Sequence, residues 1–129
     1  MKSGIATGIL ILDSEKSIVD VLSIYIQSIG YDPAGFQKAE DAIDFIKVWY
    51  DSKKVLFAAI LDLTIPGNDK PRSVLRAIKS TDSTIFTIAI SGYSDRPEII
   101  DPHTHGFDSS IAKPFMLADL KAILDAKSL

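Results

Sequence analysis

The chain contains no cysteine, which excludes disulfides, thiolate zinc sites and cysteine nucleophiles. It also lacks a surplus of positive charge. Its 14 basic side chains face 17 acidic ones, a net charge of −3, so a basic stripe for a nucleic-acid backbone is not expected. No apolar run approaches the roughly 18 residues that would suggest a membrane span. The opening MKSGIATGILIL carries one lysine and a short apolar segment. It runs straight into Asp13 with no small-residue cleavage pattern, so a cytoplasmic protein is expected rather than an exported one. Repeats, linkers and low-complexity tracts are missing as well. Apolar residues are what the chain has in quantity. They make up 47% of 129 residues, enough for one sizeable core and a single domain over 1–129, with no output domain expected in it.

The most informative stretch is VLFAAILDLTIPG, residues 55–67. An unbroken apolar run of this length predicts a strand buried on both faces, as in a parallel sheet. Pro66-Gly67 cannot continue a strand and predicts a turn, so Asp62 falls at the strand's carboxyl end. Ahead of it, GILIL at 8–12 predicts a first strand. Asp13-Ser14 then suit a helix N-cap, and Ile18, Val21, Leu22, Tyr25, Ile26 and Ile29 share one helical face, with Gly30 placed to end the helix. Residues 31–37 predict a weak edge strand, where Pro33 is tolerable. Ala39 to Tyr50 predicts a second helix, with Glu40 and Asp41 at its positive end. Beyond the central strand, a helix is expected over Pro71 to Ser80 and a buried strand over 84–90, ending in Ser91-Gly92. Pro102 should break any helix in 95–105. A short strand at 109–112 leads to Lys113-Pro114, and Phe115 to Ala126 predicts the last helix. Five alternations of strand and helix imply a doubly wound α/β fold, a parallel sheet with helices on both faces. Right-handed crossovers bring the strand ends to one edge, the edge where ligands of open α/β sheets gather.

At that edge stand Asp13, Ser14 and Glu15 after the first strand, Asp62 at the third, Ser91 at the fourth and Lys113 at the fifth. Alone, Asp62 or Asp13 would be an ordinary cap, Ser91 a turn residue and Lys113 a solvated lysine. Together, two acids, a hydroxyl and an ammonium suit phosphoryl transfer. A carboxylate can carry the group as an acyl phosphate. Mg²⁺ prefers carboxylate and carbonyl oxygens, and a lysine and a hydroxyl can hold the remaining phosphate oxygens. His103 and His105, two apart in a proline-interrupted loop, are read as surface residues.

In ILDSE at 11–15, ILDLTIPG at 60–67, AISGYS at 89–94 and GFDSSIAKPF at 106–115, the chain resembles the receiver domain of two-component response regulators. The resemblance implies a five-stranded sheet of order 2-1-3-4-5 and a phosphoryl group taken from a histidine kinase or phosphotransfer protein with Mg²⁺. It implies a switch rather than a conventional enzyme, read by a downstream partner at the fourth and fifth helices. By position, Asp62 matches the phosphoacceptor and Asp13 the first metal-site acid. Thr64 matches the residue whose backbone carbonyl meets the metal, Ser91 the switch hydroxyl, and Lys113 the phosphate-contacting lysine, followed by a cis bond to Pro114. Gly92 matches the small residue that leaves the acceptor accessible.

Two positions depart from the family. Ser14 stands where a second acid usually ligates the metal, so weaker Mg²⁺ binding is expected. Ser110 stands where an aromatic ring often swings inward on activation, so the usual coupling from Ser91 to the outer face lacks its ring; Tyr93 is close enough in sequence to gate the crevice. Ser14 also motivates an alternative, a degenerate receiver that binds partners without phosphorylation. A third reading, a haloacid-dehalogenase-like phosphatase, finds Thr64 where its second Asp should be and no length for a cap domain.

Overall fold

The computed structural model describes residues 7–52, 55–65 and 70–128. The turn expected at Pro66-Gly67 lies outside them. The strands are β1 (Thr7–Leu12), β2 (Asp32–Phe36), β3 (Val55–Asp62), β4 (Phe86–Ser91) and β5 (Ser109–Ala112). They are separated and followed by helices α1 (Lys16–Ser28), α2 (Ala39–Ser52), α3 (Lys70–Thr81), α4 (Pro97–Ile100) and α5 (Leu117–Ser128). All strand pairs are parallel, in the order β2-β1-β3-β4-β5 that the resemblance implies.

The core follows from the period of two along each strand. Leu10, Leu12, Ala59 and Leu61 face α2 and α3, packing with Ala42, Ile46, Val74 and Ile78. Ile9, Ile11, Ile60, Ile88 and Ile90 face the other way, toward Leu22 and Ile26 of α1 and Leu120 and Leu124 of α5. Both faces are covered, which is why these strands read as continuous apolar runs. On the edge strand β2, Gly35 lets α1 approach closely: a Cβ built there would lie 2.5 Å from Val19 Cγ1.

Several boundaries differ from the sequence expectation. Asp13-Ser14 precede α1, whose N-cap is Glu15. Val19 is buried on α1 while Val21 is largely exposed, so the inward face is rotated from the stripe that the apolar spacing predicts. β4 begins at Phe86 because Thr84 is held in a turn by the Asp82 carboxylate. α5 starts at Leu117, with Phe115 packed against the core ahead of it. As expected, 95–105 is broken: the four residues of α4 give way at Pro102 to a 3₁₀ turn, His103–His105, closed by Gly106 at φ 86°. Among the described residues no helix is long and apolar enough to cross a membrane.

Candidate functional site

Strand register builds the site. Leu12 pairs with Leu61, so Asp13 and Asp62 emerge side by side one step later. Asp62 pairs with Ile90 and Ser91 with Ala112, which puts Ser91 and then Lys113 along the same edge. Strand register thus delivers four residues far apart in sequence to one edge of the sheet. Lys113 is fixed further by its own N–H, which donates to the Ser91 carbonyl at 2.7 Å. The Lys113-Pro114 bond is cis.

The Lys113 ammonium lies 2.7 Å from Asp13 Oδ2 and 3.7 Å from Asp62 Oδ2. Asp13, Asp62 and Ser91 are buried, and Lys113 keeps partial contact with water. Burying two carboxylates is costly unless a counter-charge accompanies them, and Lys113 supplies it. Burial pushes the Asp13 carboxyl above its ordinary value of 3.8. The hydrogen bonds from Lys113 and from the Glu15 N–H oppose that rise, and the neighbouring Asp62 charge adds to it.

Asp62 is asymmetric. Its Oδ1 accepts the Thr64 N–H at 3.0 Å and the Thr64 hydroxyl at 2.7 Å. Its Oδ2 is buried and accepts no hydrogen bond. Sequence reasoning gives Thr64 only a role for its backbone carbonyl, although the Asp-x-Thr spacing is itself a signal for this side-chain turn. Ser91 Oγ accepts the Tyr93 N–H at 3.0 Å. Ser14 is partly buried, and its carbonyl accepts the Gln37 amide at 3.1 Å. Gly92 is open, with nothing within 4 Å of the place a Cβ would occupy. Asp62 itself is nevertheless only 1% exposed, so the small residue does not by itself leave the carboxylate accessible.

The donor set suits a hard divalent cation in kind. Two carboxylates lie around one ammonium, and one of their oxygens, Asp62 Oδ2, has no hydrogen-bond donor. It is sparse in number: among the described residues no group of three or more His, Asp or Glu side chains gathers, and Ser14 adds no charge. His103 and His105 stand apart in the 3₁₀ turn, where the Asp101 carboxylate is taken by the Thr104 hydroxyl at 2.6 Å.

The family model described as response regulator receiver domain matches residues 9–125. No curated protein sequence matches the chain. Among solved structures, the CheX-CheY-BeF3-Mg²⁺ complex from Borrelia burgdorferi is 23% identical, with a TM-score of 0.82 over 98% of this chain and 92% of that one. A response regulator from Thermotoga maritima is 15% identical, with a TM-score of 0.77 over 95% and 98% of the two chains. A CheY-like receiver domain protein from Methanospirillum hungatei is 20% identical, with a TM-score of 0.75 over 95% and 97%. At these identities the structures speak for the fold. The family match covers nearly all of the sheet and the edge that carries Asp13, Asp62, Ser91 and Lys113, and the chain therefore belongs to the response regulator receiver domains, whose general role is that of a phosphoacceptor switch in two-component signalling.

Proposed function

We propose that this chain is a phosphoacceptor switch in which Asp62 takes a phosphoryl group from a histidine kinase or a phosphotransfer protein. The observation that carries the reading is Asp62 Oδ2, a buried carboxylate oxygen without a hydrogen-bond donor, 3.7 Å from the Lys113 ammonium. Thr64 fixes Oδ1 and so orients Oδ2 as the attacking atom. Attack on phosphorus forms the acyl phosphate while the bond from phosphorus to the donor's imidazole nitrogen breaks, and that nitrogen keeps the electron pair. Lys113 stands where a point charge offsets the charge of the phosphoryl oxygens. Ser91 spends an acceptor position on Tyr93, which leaves its hydroxyl proton to donate to a phosphoryl oxygen. Asp13, Asp62 and the Thr64 carbonyl are the groups that would hold Mg²⁺, whose contribution is to neutralise phosphate charge. With Ser14 neutral, weaker binding than in a receiver with a second acid is expected.

Because Asp62 is almost fully covered, uptake requires the groups around its Oδ2, Lys113 among them, to give way. The test is incubation with phosphoramidate, or with beryllofluoride and Mg²⁺. One adduct mapping to Asp62 is expected. Absence of any adduct on the wild-type chain, under conditions that modify another receiver domain, would refute the proposal.

A second reading is favoured by Ser14 together with the closed Asp13–Lys113–Asp62 cluster: a receiver that binds partners without a phosphate cycle. Magnesium titration separates the two. Saturation near physiological concentration supports the switch, and no binding supports the adaptor. A phosphomonoesterase is not supported, since position 64 offers a hydroxyl already bound to Asp62 rather than a second carboxylate. The downstream partner is assigned to the face of α4 and α5, where Ile100 on α4 and Met116 just ahead of α5 are largely exposed.

A further inference from the structure

One peptide unit touches Asp62 on one side and α4 on the other. The N–H of the Leu63–Thr64 peptide donates to Asp62 Oδ1 at 3.0 Å. The carbonyl of the same peptide, on Leu63, accepts from Arg96 Nη1 at 3.4 Å. A peptide unit is planar and rigid, so it cannot turn its N–H away from Asp62 without carrying its carbonyl relative to Arg96. Arg96 in turn holds α4. Its carbonyl accepts the N–H of Ile99 at 2.9 Å and of Ile100 at 3.1 Å, and its guanidinium pairs with Glu98 at 3.2 Å. The far end of this short helix is tied to β5, where the Ser110 hydroxyl donates to the Ile99 carbonyl at 2.6 Å. Ser110 thus pins α4 at the position where an aromatic ring would have moved.

We infer that Arg96 is a positioning residue that reports the state of Asp62 to α4 through the Leu63–Thr64 peptide. The inference deepens the switch reading and rests on it for its biological meaning, but the mechanical link is a property of the chain itself. A guanidinium suits the task because its planar fork serves the Leu63 carbonyl and the Glu98 carboxylate together, which a lysine ammonium cannot do from one position. Burial raises the Glu98 carboxyl, but the Arg96 hydrogen bond, the Glu98 backbone N–H and the Arg96 and His105 charges together outweigh that effect and hold it below its ordinary 4.5.

The experiment is a double-mutant cycle read by amide hydrogen exchange over residues 97–105, using wild type, Asp62→Asn, Arg96→Ala and the double variant, without any phosphoryl donor. Asp62→Asn should change exchange in that segment by about threefold or more, and the change should vanish in the Arg96→Ala background. Arg96→Lys keeps the charge and the aliphatic stem, so it should fold normally and still lose most of the coupling. An undiminished response to Asp62→Asn in either Arg96 variant overturns the inference. So does an absent response in the wild type. A parallel arm adds beryllofluoride and Mg²⁺ to wild type and Arg96→Lys. Adduct in both, with the α4 response only in wild type, supports the inference; adduct and equal response in both overturns it. Failure of the adduct to form on wild type counts against the switch reading alone, because the donor-free cycle still decides the link.

Discussion

Among the described residues the same short turn occurs twice, and one copy lies in the candidate site. Asp62-Leu63-Thr64 and Asp82-Ser83-Thr84 share the Asp-x-Thr pattern. In the first, the aspartate Oδ1 accepts the threonine N–H and hydroxyl at 3.0 and 2.7 Å. In the second, the distances are 2.9 and 2.6 Å. Local chemistry is the same to within a tenth of an ångström, so it cannot be what distinguishes them. Asp82 caps the chain leaving α3 and keeps contact with water. Asp62 ends a central strand, is buried, and has Asp13 and Lys113 beside its second oxygen. The difference is tertiary. Burial removes water from Oδ2 without supplying a hydrogen-bond donor, which leaves one carboxylate oxygen with capacity to spare.

The largest expected effect lies in labelling. Asp62→Asn should abolish adduct formation with a phosphoryl donor, and Asp82→Asn should leave it intact, both read by intact mass. Equal behaviour of the two variants would break the comparison. Next comes stability. Lys113→Met strips the counter-charge from two buried carboxylates and should cost about 3 kcal/mol in urea unfolding near neutral pH. The control is Lys79, which pairs with the more exposed Asp108 at 3.4 Å; Lys79→Met should cost under about 1 kcal/mol.

Smaller effects test the turns themselves. Thr64→Val removes a hydroxyl bonded to a buried carboxylate and should cost about 1–2 kcal/mol, against about 0.5 kcal/mol for Thr84→Val. The second variant also carries a pH signature. The Thr84 hydroxyl, then its N–H, holds the Asp82 carboxyl below its ordinary value of 3.8. A depressed folded-state value stabilises the fold above 3.8 and loses that contribution as pH falls through 3.8 toward the folded value. The gap between wild type and Thr84→Val should therefore narrow on acidification. A gap that widens would assign the Asp82 turn a different role.

Much of this architecture is legible in the sequence because it rests on period and position. Apolar runs ending in Asp13, Asp62, Ser91 and Lys113 mark strand ends, and parallel strands put their ends together. Pro102 announces the broken fourth helix. What escapes is whatever depends on an angle or on a partner distant in the chain. Val21 and Val19 fit neighbouring helical stripes, and only packing against β2 decides between them. The Arg96 contact with Leu63 has no sequence signature, since it spans two loops joined only by the sheet between them. For Thr64 the resemblance speaks only of the carbonyl, while the hydroxyl bond to Asp62 is signalled by the Asp-x-Thr spacing alone.

Gly35 bears on all of this from a distance. It is a residue with no side chain, on the edge strand, and its emptiness sets how near α1 can lie. A methyl group there would act as a shim against the stiff, branched Val19, tilting the helix and with it the turn that delivers Asp13 to its lysine. So close an approach of helix to strand thus sits at a position with no chemistry of its own.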